Sequence, residues 1–249
     1  MISSHGVTDI GCVREKNEDR ILVDESLGLY VVADGMGGRS HGELAAELAI
    51  TTMQHYIGSS QDRLEVTWPF GYNFDLSVDA NRLITAIQLA NRQVWRQAEK
   101  APEYGGMGTT VAALLADGSN VTVGNVGDSR VYLWRDALEQ LSLDDTWAKA
   151  MSGRGGAEID MSSHPMRNFL TQAAGSKDLV DVHIIERDLS PGDVILLSSD
   201  GMHGLVTDSE IAATLAAAPS IHDAAATLVQ LARGAGGPDN ISVILLKME

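Results

Sequence analysis

Asp19-Arg20-Ile21-Leu22-Val23-Asp24-Glu25-Ser26-Leu27-Gly28-Leu29-Tyr30-Val31-Val32-Ala33-Asp34 is the stretch from which the fold can be read. Two apolar runs, 21–23 and 29–32, flank the polar, turn-forming residues 24–28, which is the pattern of a β-hairpin. Pairing Asp24 with Leu29 leaves a four-residue loop and sets Asp19 opposite Asp34. Two carboxylates at the open end of one hairpin repel each other, so the pairing calls for a chemical reason.

Outward from the hairpin, residues 109–115, 120–126, 130–134 and 138–141 read as a meander, with bends at Asp117-Gly118, Gly127-Asp128-Ser129 and Asp136-Ala137. Two further strands are expected: 193–199, which runs into Asp200-Gly201, and 241–247, which follows Pro238-Asp239-Asn240. Helical periodicity predicts amphipathic helices over 42–57, with Leu44, Leu48 and Thr51 on one face, and over 79–100, with Leu83, Ile87, Ala90 and Val94. Thr207-Asp208-Ser209-Glu210 is a capping box opening a helix toward Ala217, and 220–235 supplies another. Strands in two groups with helices between them predict an α+β layered fold.

Composition narrows the function classes. The 249 residues are 44% hydrophobic and 21% charged, ordinary values for a chain with a packed core. Glycine and short turns recur without an internal repeat or a Pro/Ser-rich linker, so a single domain over 1–249 is expected. One cysteine, Cys12, rules out an internal disulfide and a cysteine-rich zinc site. No apolar run approaches the roughly 18 residues of a spanning helix, and Met1-Ile2-Ser3-Ser4-His5-Gly6 lacks signal-peptide regions. The expectation is a cytoplasmic, membrane-free protein. A net charge of -16 argues against nucleic-acid partners, since such binding neutralises phosphates with cations. Any phosphate chemistry therefore needs positive charge brought to the site, and metal ions are the economical source.

Glu18-Asp19, Asp34-Gly35, Asp128, Asp200-Gly201 and Asp239-Asn240 all fall at element ends. A lone turn aspartate is usually structural, but the whole group converging would need cations, and an all-oxygen set prefers Mg²⁺ or Mn²⁺. Glycines after Asp34 and Asp200 are expected to allow sharp turns and to let a carbonyl approach a cation. Asp34-Gly35-Met36-Gly37-Gly38 lacks the following Gly-Lys-Ser/Thr of a nucleotide loop.

Taken in order, Thr8-Asp9-Ile10-Gly11 with Arg14 and Asn17-Glu18-Asp19-Arg20, Val32-Ala33-Asp34-Gly35-Met36-Gly37-Gly38, Gly108-Thr109-Thr110, Val126-Gly127-Asp128-Ser129-Arg130, Leu197-Ser198-Ser199-Asp200-Gly201 and Asp239-Asn240-Ile241-Ser242-Val243 resemble the motifs of the metal-dependent (PPM, type 2C) protein serine/threonine phosphatases in their bacterial form. The resemblance spans essentially the whole chain. It implies a four-layer αββα architecture, a central antiparallel β-sandwich flanked by helix pairs with a dinuclear centre at one end. It further implies two Mn²⁺ or Mg²⁺ ions bridged by Asp34, one also bound by the Gly35 carbonyl and the other by Asp200 and Asp239. Glu18 and Asp19 would hold metal-bound waters, Asn240 would support the adjacent ligands, Asp128 with Asp200 would take a third, weaker ion, and Arg14 would grip phosphate. The implied reaction is hydrolysis of phosphoserine and phosphothreonine monoesters by a water between the metals. The implied partners are phosphorylated proteins, Ser/Thr kinases and their substrates, and the chain is expected to be a monomer.

Met36 stands where many eukaryotic relatives carry a proton-donating histidine, which makes His41 a speculative substitute. Segment 144–175 resembles the family's flap beside the cleft and carries glycine hinges. Trp68-Pro69-Phe70-Gly71-Tyr72-Asn73-Phe74 reads as a connection pinned by its own aromatics, with docking as the competing reading. Two other functions stand beside the phosphatase: a catalytically silent phosphoprotein-binding module, expected to have lost Asp34, Asp200 or Asp239, and a calcium-stabilised domain, which lacks compact EF-hand spacing.

Overall fold

The alternation of the strands is what layers this molecule, because each central strand is apolar on both faces. In the computed structural model, which describes residues 1–37, 41–61, 66–152 and 164–249, strand β3 (Leu29–Met36) sends Leu29, Val31 and Ala33 to one side and Tyr30 and Val32 to the other. Strands β10 (Val194–Ser198) and β11 (Ile241–Met248) do the same: Leu196, Val243 and Leu245 face one way, while Ile195, Leu197, Ile244 and Leu246 face the other. A period of two with both faces apolar requires a covering layer on each side.

Among the described residues the strands form two antiparallel sheets. One has the order β1-β11-β10-β7-β8, with β1 (Ile2–Asp9), β7 (Arg130–Trp134) and β8 (Leu138–Gln140). The other runs β2-β3-β5-β6-β9, with β2 (Asp19–Asp24), β5 (Val111–Asp117), β6 (Asn120–Val126) and β9 (His183–Asp188), and the short β4 (Gly108–Thr109) pairs with the end of β3. Tyr30, Leu114, Val131, Ile195 and Leu197 fill the space between the sheets. Helices α1 (His41–Ser59) and α2 (Val78–Ala98) cover one outer face. The short α4 (Asp200–His203), α5 (Asp208–Ala217) and α6 (Ile221–Gly234) cover the other. The result is the four-layer αββα arrangement, and α3 (Trp147–Ser152) lies outside it in sequence terms, within the expected flap.

The hairpin has the expected register, with Asp19 opposite Asp34 and Asp24 opposite Leu29. Helix α5 carries its capping box, with Thr207 Oγ1 accepting from Glu210 N and Glu210 Oε2 accepting from Thr207 N. Residues Leu83, Ile87, Ala90 and Val94 of α2 are all fully buried.

Three expectations are corrected. First, α1 does not bury the Leu44, Leu48 and Thr51 face: Ala45, Ala46, Ala49 and Met53 are fully buried, Leu44 and Leu48 are only flanking, and Thr51 is exposed. Small side chains let the helix approach the sheet closely, so the alanine stripe wins over the larger leucines. Second, the meander is split, since β5 and β6 pair in one sheet while β7 crosses to pair with β10 in the other. The 127–129 link therefore steps between sheets at one end of the sandwich. Third, strands β1 and β9, absent from the expectation, close the sheets against β11 and β6. Both contain polar residues and are only partly buried, so their apolar signal is diluted.

The aromatic segment is pinned to the helices: Tyr56 Oη donates to Thr67 O (3.0 Å), Asn73 N donates to Asn81 Oδ1 (2.7 Å), and Arg92 lies over the Phe70 ring at 4.5 Å. Trp68, Tyr72 and Phe74 follow as edge-to-face pairs, ending at Phe74, which is 90% exposed.

Leu114→Ala, in the space between the sheets, is expected to cost about 2 to 5 kcal/mol of unfolding free energy. Thr207→Ala, which removes the cap of α5, should cost about 1 kcal/mol. Urea titration of both variants measures the difference; near-equal losses would contradict the packing described.

Candidate metal centre

The acids at strand ends are brought together by the way the two sheets terminate. Glu18 precedes β2, Asp34 lies near the end of β3, Asp128 sits on the link between the sheets, Asp200 opens α4 directly after β10, and Asp239 stands just before β11. Together with Arg14, Gly35, Met36, Thr110 and Asn240 they line a cavity of 270 Å³. Asn168 and Leu170, from the expected flap, line it too. The remainder of that flap over 153–163, and Gly38 of the glycine-rich stretch, lie outside the described residues.

Asp19 occupies a different place from Glu18. It lies beneath the cavity, fully buried, with Oδ2 accepting from Ser199 Oγ (2.8 Å) and Ser242 Oγ (2.6 Å). The two serines precede Asp200 and follow Asp239 and Asn240, so the strand ends that carry acids also carry the donors that hold Asp19. Serines beside Asp-Gly and Asp-Asn were visible in the sequence, but their inward direction depends on strand register.

Asn240 is a staple rather than a lining ornament. Its Oδ1 accepts from Glu18 N (2.8 Å) and its Nδ2 donates to Ile10 O and Lys16 O (both 3.0 Å), fastening the 10–18 loop to the start of β11. Arg14 reaches the cavity rim from this loop, 52% exposed, and its Nη2 donates to Asp239 Oδ2 at 2.7 Å. The main chain of Asp34 is fixed by Thr110: Asp34 N and Thr110 Oγ1 are 3.0 Å apart, and Thr110 N donates to Asp34 O at 2.9 Å.

The glycines do not sit in the sharp turns expected of them. Gly35 lies within β3, not in a turn, and a Cβ there would stand 2.1 Å from Gly42 O. Gly201 lies in α4, where a Cβ would stand 1.9 Å from Asn240 O. Both are required because backbone packs against backbone, which lets helix starts press on the acid-bearing strand ends.

Sequence reading did not pick out Asp145. Its Oδ2 accepts from Gly127 N and Gln172 Nε2, and its Oδ1 lies against His183 Nε2, each at 2.8 Å. It thereby ties the Asp128 turn to β9 and to the far limb of the flap. His41, by contrast, lies edge-on to Tyr104 with ring centroids 5.0 Å apart and does not line the cavity.

The electrostatics follow from crowding. Burial is the largest influence on Asp34, followed by the charges of Asp19, Asp200, Asp239 and Asp128, and it holds this carboxyl well above its usual range. Burial and the charge of Asp200 push Asp128 up to about 7. Burial raises Asp19 to about 6 despite its two serine donors. Asp200 is raised by burial first and by the charge of Asp239. Asp19 Oδ1 and Asp200 Oδ1 are buried without a hydrogen-bond partner. Among the described residues no three His, Cys, Asp or Glu side chains close around one point as a finished cage; Arg14, bonded to Asp239, brings positive charge to the rim. Unpartnered buried carboxylate oxygens in an all-oxygen cluster fit hard divalent cations.

A family model described as protein phosphatase 2C matches residues 14–233. The chain is 34% identical over 240 residues to the serine/threonine protein phosphatase PstP of Mycobacterium tuberculosis, covering 96% of this chain and 43% of that protein, so it spans less than half of the relative's length. It is 31% identical over 249 residues to the serine/threonine phosphatase stp of Listeria innocua, covering 96% of this chain and 93% of that one. Among solved structures, the catalytic domain of PstP in complex with two manganese ions superposes with a TM-score of 0.81 at 31% identity, covering 100% and 99% of the two chains.

The raised carboxyls have a consequence for stability. A carboxyl whose folded pKa lies above its unfolded value binds more protons when folded, so stability is lost as pH rises through the folded pKa. The loss from Asp128 therefore begins in the ordinary carboxylate range at about pH 4 and is complete as pH passes its folded value of about 7; Asp19, at about 6, adds to it, and Asp34 is raised in the same direction. His203, buried and lowered to about 3, acts the other way, since an unfolded imidazole gives up its proton only at about pH 6.5, but it is one group against several raised carboxyls. The metal-free protein should therefore melt at a lower temperature at about pH 7 than at about pH 5, Asp128→Asn should flatten the decline, and Mn²⁺ should reverse it. Calorimetry with and without chelator checks this; a melting temperature that rises over the same interval contradicts the assignment.

Proposed function

The chain belongs to the protein phosphatase 2C family, and we propose that residues 1–249 act as one phosphatase domain hydrolysing phosphoserine and phosphothreonine monoesters on proteins. The observation that carries this reading is the set of buried and half-buried, mutually repelling acids at converging strand ends, two of whose oxygens have no hydrogen-bond partner. The one-domain reading is supported by the pairing of β1 with β11, which ties the first strand to the last. The flap, 144–175, is proposed as the side of the cleft that meets substrate, since Asn168 and Leu170 line the cavity.

Two divalent cations, when bound, neutralise the carboxylates, acidify a water and draw charge from the phosphoryl oxygens. Asp34 would be shared by both, the Gly35 carbonyl would complete one ligand set, and Asp200 with Asp239 would complete the other. Glu18 lines the cavity and would orient a water at its edge. Asp19, fixed by Ser199 and Ser242, would present its unpartnered Oδ1 upward from below. Asp128 with Asp200 would form the weaker third site.

Arg14 would clamp phosphate. Its guanidinium presents donors in a planar fork suited to two phosphate oxygens, and its exposed place at the rim lets it turn from Asp239 toward an incoming anion. Met36 lines the cavity but holds no transferable proton, so this side chain does not serve the leaving alkoxide. The acid-rich lining repels phosphate in the absence of cations, which makes metal loading a condition for substrate approach. A silent binding module is disfavoured, since burying this cluster is costly and Asp34, Asp200 and Asp239 are all present.

The proposed partners are phosphorylated proteins, including Ser/Thr kinases and their substrates, and the proposed setting is a monomer in the cytoplasm. No helix among the described residues is long and apolar enough to cross a membrane. Cys12 is exposed and unpaired, which suits a reducing compartment.

Phosphate release from a phosphothreonine peptide should require Mn²⁺ or Mg²⁺, stop with excess chelator, and fall at least about a hundredfold in Asp200→Asn. A folded, metal-loaded wild type without turnover would sink the reading. Arg14→Lys should raise KM about tenfold while changing kcat less, because it removes the paired donors and keeps the charge; steady-state kinetics on the same peptide separates the two constants.

A further inference from the structure

Beside the acid-lined cavity lies a larger hollow of 520 Å³. The two adjoin at Met36, Asn168 and Leu170, which line both. Their chemistry is opposite. Six of the residues lining the smaller cavity are ionisable, namely Arg14, Glu18, Asp34, Asp128, Asp200 and Asp239, whereas Glu99 is the single ionisable residue among the described residues lining the larger one. Trp95 and Ala98, from the last turns of α2, form one wall of the groove, Met107 lies in it, and Phe169 with Ala173 forms the opposite wall. Phe169 is 65% exposed, a large apolar side chain left facing the open groove.

The walls are held by main-chain bonds. Thr109 N donates to Ala174 O (2.9 Å) and Ala174 N to Thr109 O (2.8 Å), while Asn91 of α2 accepts from Gly175 N (2.7 Å) and donates to Asp178 O (2.9 Å). Trp147 N donates to Phe169 O (2.8 Å), fixing the stretch that bears the exposed ring. Gly108 lines the larger hollow next to Met36, and a Cβ there would meet Ala174 O at 3.1 Å and Met36 Cε at 3.4 Å. A groove set by backbone bonds needs little ordering when it is filled, so apolar contact made there is retained as affinity.

We propose that this groove receives a large apolar side chain that flanks the phosphorylated residue of the substrate protein. The proposal rests on the phosphatase reading above and specifies its substrates. An extended segment with its phosphate in the acid-lined cavity passes the shared residues Met36, Asn168 and Leu170 and lays a neighbouring side chain against Trp95, Met107 and Phe169. The continuity of the two hollows selects this occupant over an unrelated ligand, and the near absence of charge selects Leu, Met or Phe over a basic or acidic side chain.

The test uses the full chain with Mn²⁺ and three kinds of substrate: p-nitrophenyl phosphate, a phosphothreonine peptide in a Gly/Ser background, and the same peptide with one Leu walked through the three positions on either side. At one or two adjacent positions Leu should raise kcat/KM about tenfold, the worth of an apolar side chain in a fitting pocket. Ala98→Phe, which fills the groove, and Phe169→Ser, which removes an exposed part of its wall, should each cut that gain to about twofold or less. Both should leave p-nitrophenyl phosphate within about twofold of wild type, and Ala98→Phe, outside the flap, should do the same for the Leu-free peptide; melting temperatures confirm that each variant is folded. If aryl phosphate is turned over but Leu confers no gain at any position, the groove proposal is overturned and the phosphatase reading stands. If aryl phosphate is not turned over by metal-loaded wild type, the underlying reading fails and the proposal fails with it. A wild-type dimer in sedimentation that Ala98→Phe abolishes would assign the groove to a second copy and overturn the substrate role.

Discussion

Repulsion among buried carboxylates at one end of the β-sandwich is the constraint on which the rest of the arrangement turns. Asp19, Asp34, Asp128 and Asp200 are each held above the usual carboxylate range, with burial as the leading cause and the neighbouring acids adding to it. Left alone, such a cluster would push the strand ends apart. It is held together by neutral donors below it and by the guanidinium of Arg14 at its rim. Each is a partial substitute for positive charge, and two carboxylate oxygens still lack a partner. The scaffold therefore supplies the energy that keeps unfavourable charges in place, and cation binding returns it.

That scaffold is able to do so because its strands are apolar on both faces. Residues such as Val31 and Val32, or Leu196 and Leu197, lie next to one another in sequence yet enter different cores, one under the helices and one between the sheets. Both sheets are thereby clamped from two sides, and their ends are rigid enough to present acids that would otherwise separate. Backbone contact completes the clamp: Gly35 against Gly42 and Gly201 against Asn240 bring α1 and α4 closer than any side chain would permit.

The neighbouring apolar groove draws on the same devices. The strand end that carries Asp34 continues to Met36, and the short β4 that pairs with it is bonded to Ala174, which lies between the groove-lining Ala173 and Gly175. Asp145 joins the turn bearing Asp128 to Gln172 and His183. Charge chemistry and apolar recognition therefore share walls, so a change in one hollow is felt at the border of the other.

Much of this was legible from residue order alone. The hairpin register that sets Asp19 opposite Asp34 follows from loop length and alternation, the capping box of α5 from a four-residue pattern, and the candidate ligands from acids recurring at element ends. These are local properties, fixed by backbone geometry within a few residues. The contacts that organise the site are not local. The division of the supposed meander between two sheets, the burial of alanines rather than leucines on α1, the burial of Asp19 beneath Glu18's cavity by Ser199 and Ser242, and the role of Asp145 all depend on segments far apart in sequence. Sequence by itself determined which residues carry charge, where the hairpin and the capped helix begin, and the chemistry that the grouping of acids demands. Tertiary structure alone decided which acids face the cavity, which donors reach them and what lies next door, because packing, burial and mutual repulsion exist only once distant strands share a volume from which water is excluded.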